Sequence, residues 1–151
     1  MTQEDKELLL KDLSARLLYG VKVALKRTNC YDSINKANEK DIYSFRTGRP
    51  LEEDHGQHDY YKVIVTDLKP YLFPLSSMTD EQKKELRQMN AFINTFGNIC
   101  FAVCDEYGHD IIPTYEDAIR ITDWLNKNHF DYRGLIEKGL ALDATGLNIY
   151  K

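Results

Sequence analysis

Two groups of residues in this chain have types and spacings that could do chemistry. The first lies in the stretch Leu51–Asp59, where Glu52, Glu53, Asp54, His55, His58 and Asp59 crowd together. His55 and His58, at i and i+3, can share one cation on a turn, with Asp54 or Asp59 as a carboxylate ligand. Such a centre would serve a metal-dependent hydrolase by activating water. Against this, the spacing matches neither H-E-x-x-H nor a cysteine knuckle. Closed zinc sites also draw their ligands from more than one element. The plain reading is a solvated polar loop. The second group is Cys100, Cys104, His109 and His129. On a strand, Cys100 and Cys104 share a face about 13 Å apart, too far to hold one ion, whereas one helical turn would bring them together. Buried thiols and surface imidazoles are the simpler account. With Cys30 the thiols number three, an odd count that fits a reducing, cytoplasmic setting.

Other chemistries lack an anchor. There is no G-x-S-x-G elbow, no G-x-G-x-x-G and no Walker loop, so no residue is assigned as catalytic and no cofactor is implied. A basic-aromatic surface is the best argument for a nucleotide or nucleic-acid binder. Lys22, Lys26, Arg27, Arg46 and Arg49 lie in or beside strand-like segments that also hold Tyr31, Tyr43 and Phe45. Exposed aromatics stack bases and basic edges neutralise phosphates. The charge balance weighs against it: 20 basic residues face 24 acidic ones, a net charge of −4. Phosphate-binding proteins draw their affinity from basic excess, and lysine on an edge strand also guards against strand-to-strand aggregation.

These residues must be positioned by one domain of 151 residues, 42% hydrophobic and 29% charged, with no apolar run long enough to cross a membrane. Thr2 caps a first helix from residue 3 to 14 or a little further, with Leu8, Leu9 and Leu13, and Leu17 one turn on, at helical spacing. Residues 19–26 alternate, with Val21, Val23 and Leu25 on one face, and read as a strand. Residues 41–46 and 60–66 read as two more strands, separated by the polar loop at 47–59. Pro70 and Pro74 forbid a helix over 67–75, which reads as an apolar connector pinned to the core by Tyr71, Leu72 and Phe73. Thr79 and Gln82 fit a capping box, and the apolar spacing of Leu86, Met89, Phe92 or Ile93, and Phe96 predicts a helix over 80–95, stopped by Gly97. Residues 99–103 fit a strand or a helix fragment. Ile111 and Ile112 are expected to be buried. Thr114 with Asp117 caps a helix over 115–128, Asp131 caps a short one over 132–138, and an extended tail follows. Runs of strands and runs of helices predict an α+β fold: a small antiparallel sheet of three or four strands packed with three or four helices.

Three blocks resemble a family of small proteins of gut bacteria and their phages or mobile elements. They are Asp12–Val21, Leu68–Thr79 and Asp123–Ile136, and between them they reach from the first helix almost to the tail. The family has no established activity, so the resemblance implies a genomic setting and carries over no functional residue. The expected function is a non-catalytic interaction protein of a phage or mobile element, cytoplasmic, docking to a host or element-encoded protein. Its expected contact residues are Tyr71 and Phe73 of the aromatic connector and His129, Tyr132 and Arg133 of the helix-to-helix corner. Aromatic side chains and arginine are enriched at docking surfaces, and the start of a helix favours anions.

Overall fold

In the computed structural model, residues 1–25, 42–44, 68–104 and 107–150 are described. The expected strand at 60–66, the loop at 47–59 and the turn at 29–40 lie outside them. The fold is α+β, with three α-helices, a mixed sheet and a separate two-stranded sheet among the described residues.

Local grammar sets the helix starts. Helix α1 (Gln3–Arg16) opens on a capping box in which Thr2 Oγ1 accepts the Asp5 N–H and Asp5 returns the bond to the Thr2 N–H. The same device opens α2 (Asp80–Gln88) with Thr79 and Gln82, and α3 (Tyr115–Lys127) with Thr114 and Asp117. Each box satisfies two donors that a helix start leaves orphaned.

The sheet differs from expectation at its centre. Residues 67–75 are no mere connector: β3 (Leu68–Pro74) pairs antiparallel with β1 (Lys22–Leu25) through Leu68–Pro70. It then pairs in parallel with β7 (Leu142–Asp143) through Tyr71 and Leu72, and with β6 (Phe130–Asp131) through Phe73 and Pro74. The prolines favour extended backbone and fall where a missing N–H is tolerated, Pro70 where the ladder changes partners and Pro74 at the strand end. The expected second strand is β2 (Ile42–Ser44), antiparallel to β1. The sheet is therefore mixed, its parallel pairs supplied by short chain returns near the C-terminal end.

Helix α2 stops well short of residue 95. Asn90 adopts φ 59°, a left-handed conformation that asparagine tolerates. The chain then forms a hairpin of β4 (Ala91–Ile93) and β5 (Ile99–Phe101). Asn94 Oδ1 accepts the N–H groups of Phe96 and Asn98 across the turn, and Gly97 takes φ 80°. A short apolar run fits helical and strand periods alike, and the turn chemistry of Asn94–Gly97 decides for the hairpin. Phe96, expected on a buried stripe, projects from the turn 87% exposed, and Ile112, also expected inside, is 85% exposed. Residues 132–138 form turns, not a helix, although the Asp131 carboxylate does accept the N–H groups of Leu135 and Ile136.

Two apolar clusters hold these elements. Leu9 and Leu13 of α1 meet Val21, Val23, Leu68, Leu72 and Leu135 in one. Leu86, Ala91, Ile121, Leu125 and Phe130 form the other, with Phe73 and Trp124 packed against it.

Candidate functional site

The end of α3 builds the first region of interest. Asn128 closes the helix, and His129 follows at φ 58°, turning the chain sharply into β6. A left-handed residue at this position ends many helices, usually as glycine. The turn presents the His129 carbonyl to the Phe73 N–H at 2.9 Å, joining the corner to β3. It also lays the imidazole flat against Tyr150, with ring centroids 3.8 Å apart. The Tyr150 hydroxyl accepts the Lys22 N–H at 3.0 Å and donates to the Tyr71 carbonyl, so one phenol bridges β1 and β3. Phe73 packs against both Tyr150 and Phe130.

Beside this aromatic stack lies an ionic cluster with a fully buried centre and a partly exposed edge at Arg133. Asp12 and Arg16 are both 0% exposed. Arg16 Nε and Nη2 donate to the two Asp12 oxygens at 2.8 and 3.0 Å, and Nη2 also donates to the Phe130 carbonyl at 2.8 Å. Arg133 adds a second guanidinium, Nη1 donating to Asp12 Oδ1 at 3.0 Å. Both guanidinium groups stand over the Tyr132 ring, whose hydroxyl donates to Asn126 Oδ1. A bidentate arginine–carboxylate pair satisfies most of the polar atoms it buries. Arg16 Nη1 and His129 Nδ1 have no hydrogen-bond partner among the described residues.

The electrostatics follow from this packing. Burial lowers the His129 pKa to about 4, and the nearby charges of Arg16 and Lys22 push in the same direction. The imidazole is therefore neutral at pH 7. Burial pushes the Tyr150 hydroxyl up to about 12, so the phenol keeps its proton and its role as a donor.

The structure thus brings together the five residues expected at a contact surface, but around internal partners. Tyr71 and His129 are buried, Phe73, Tyr132 and Arg133 are partly buried, and Tyr150 and Asp12 join them. Neither Tyr150 nor Asp12 stood out in the sequence. The Asp12–Arg16 spacing of i, i+4 was the available signal, but that spacing is ordinary on a solvated helix face. Among the basic residues of the nucleic-acid reading, Lys22 lies in β1, its backbone bound to Tyr150. Lys26, Arg27, Arg46 and Arg49 fall outside the described residues, as do His55, His58, Asp54 and Asp59. Cys100 lies in β5 and Cys104 is exposed beyond it, while His129 is consumed by the aromatic stack. No group of three or more His, Cys, Asp or Glu side chains is arranged to hold a metal ion among the described residues.

A second region was not anticipated at all. Between α2 and the β4–β5 hairpin runs an open groove of about 1230 Å³. Its apolar lining includes Leu75, Leu86, Ala91, Ile93, Val103 and Ile111, and Lys83, Lys84 and Arg87 stand along the α2 side. Among the described residues, no carboxylate lines it. Glu85 on α2 is turned to another face, where its Oε2 accepts the Trp124 Nε1–H at 2.9 Å. The same stretch of chain carries large apolar side chains in water: Phe96, Val103, Tyr107, Ile112 and Tyr115 are 73–87% exposed. Reading 80–95 as one helix hid this region, because it folded Phe92 and Phe96 into a buried stripe.

Among the described residues, no helix is long and apolar enough to cross a membrane. No protein-family model, curated protein or solved structure matches the chain.

Proposed function

We propose that this protein is a non-catalytic interaction module of a phage or mobile element that docks to a host or element-encoded protein. The observation that carries this reading is the contrast in exposure between its polar and apolar groups. Among the described residues, Asp12, Arg16, Arg133 and His129 are packed inside and committed to one another and to Phe130, Tyr132 and Tyr150. Apolar side chains that a monomer would bury instead stand in solvent along residues 96–115. Scattered exposed apolar residues are ordinary, but a concentration of aromatic and branched ones on one stretch marks a surface meant to be covered. The resemblance of Asp12–Val21, Leu68–Thr79 and Asp123–Ile136 to proteins of gut bacteria and their mobile elements supplies the setting.

The test is affinity capture from a host lysate with the wild-type chain and with the double variant Phe96→Asp/Ile112→Asp. Both side chains are almost fully exposed, so the variant is expected to melt as the wild type does. A protein retained by the wild type and lost with the variant supports the reading. Equal retention, or no specific protein retained, overturns it.

A further inference from the structure

The groove between α2 and the hairpin has a chemistry that selects its occupant, and on this basis we infer that it takes an acidic, apolar-bearing peptide segment of the partner protein. This inference rests on the docking reading above and deepens it by naming what the partner must present. The walls supply Phe92, Ile93 and Val103 for apolar side chains, while Lys83, Lys84 and Arg87 line the helix side, with no carboxylate among the described lining residues. Lys83 is paired with Asp80 at 3.2 Å, an exposed contact that water and salt screen. Lys84 and Arg87 have no carboxylate partner among the described residues.

The placement follows from helical geometry. Lys83 and Arg87 are one turn apart, and Lys84 lies beside them, so the three cations share a face. Leu86 points inward and Glu85 is held by Trp124 on a separate face. Lys84 and Arg87 thus bring two cations, unpaired among the described residues, to the groove beside the Asp80–Lys83 pair, in a chain whose net charge is −4. Complementary charge steers association and rejects wrong partners, while apolar burial supplies the bulk of the affinity. Nucleic acid fits the groove less well. Three cations neutralise few phosphates, and Phe92 is the aromatic side chain in the lining on which a base could stack.

The experiment is a selection of random short peptides on the full-length protein, followed by fluorescence-polarisation titration of those enriched. Enriched peptides are expected to combine Asp or Glu with apolar residues and to bind in a salt-sensitive way. The charge reversal Lys83→Glu/Lys84→Glu/Arg87→Glu should weaken them by about tenfold or more. The milder Lys84→Gln/Arg87→Gln, which leaves the helix fold undisturbed, should weaken them in the same direction. Absence of enrichment, enrichment of neutral or basic peptides, or affinity untouched by both variants overturns the inference. A labelled single-stranded RNA titrated in parallel separates the two macromolecules: tight binding lost in the same variants would overturn the peptide in favour of nucleic acid. If the groove variants leave capture of a lysate partner unchanged while Phe96→Asp/Ile112→Asp abolishes it, the docking reading stands and the groove assignment alone falls.

Discussion

The corner at His129 and the groove beside α2 use the same residue types to opposite ends. Both combine arginine or lysine with aromatic and aliphatic side chains. In the corner, Arg16 and Arg133 share the Asp12 carboxylate and lie over Tyr132, so every full charge has a neighbour of opposite sign or an aromatic face. In the groove, Lys84 and Arg87 stand beside an apolar lining with no carboxylate among the described residues. The first arrangement joins elements distant in sequence, tying α1 to β6 and to the turns that follow. The second leaves its complementarity unfilled. Residue type is therefore a poor guide to a contact surface, and the presence or absence of an internal partner is a better one.

Removing the central carboxylate should break the corner most severely. Asp12→Ala leaves Arg16 fully buried without its counter-charge and deprives Arg133 of its acceptor. A broken buried pair costs about 3–5 kcal/mol, because the remaining charge has no water to return to. Urea unfolding should show a loss of that size, while Lys84→Gln/Arg87→Gln in the groove should shift stability by no more than about 0.5 kcal/mol. Comparable losses at both places would mean that the two regions do not differ in the way described.

The buried imidazole sharpens the same contrast through pH. The folded-state pKa of His129 lies near 4, below the ordinary value of 6.5. Between those values the unfolded chain binds a proton that the folded chain refuses. The contribution is thus fully present above pH 6.5 and is lost as the pH falls toward 4, by roughly 2 kcal/mol after allowance for solvent at the ring edge. Arg16 and Lys22 push in the same direction as burial. His129→Asn retains a residue suited to the left-handed backbone but removes the titration. Urea midpoints measured across this range should fall more steeply for the wild type than for the variant, and equal slopes would place the imidazole in water.

How far the sequence discloses the fold depends on how local each cause is. The cap at Thr2 and the pairs Thr79–Gln82 and Thr114–Asp117 were legible because a cap and its partner stand within one turn. The β1 alternation was legible because one face of a strand repeats every second residue. Strand β3 was not, since Pro70 and Pro74 argue against a regular ladder until its partners are known, and those partners lie as far away as Phe130 and Leu142. The hairpin after Asn90 was missed because its apolar spacing satisfies a helix equally well. For the site, Tyr71, Phe73, His129, Tyr132 and Arg133 were recognised as belonging together by residue type. The packing of Tyr71 and Phe73 on the core was legible in their apolar stretch, but the burial of His129 and the pairing of Arg133 were not, because they depend on a tyrosine at the far end of the chain and on a carboxylate in the first helix. The groove depends on where α2 stops, so an error of a few residues there concealed it.

That distant tyrosine gives the smallest effect that still separates the two regions. The Tyr150 hydroxyl accepts from the Lys22 backbone and donates to that of Tyr71, while its ring covers His129. Tyr150→Phe keeps the stack and removes both hydrogen bonds, leaving a part-buried backbone N–H and carbonyl to find other partners. Each such bond contributes a net of about 0.5–1.5 kcal/mol, so a loss of about 1–2 kcal/mol is expected in urea unfolding. Hydrogen exchange should then quicken at the Lys22 amide more than at amides of the β4–β5 hairpin, which touch none of these groups. If the hairpin responded equally, the corner and the groove would be one cooperative unit, and the separation of a tying region from a displaying one would not hold.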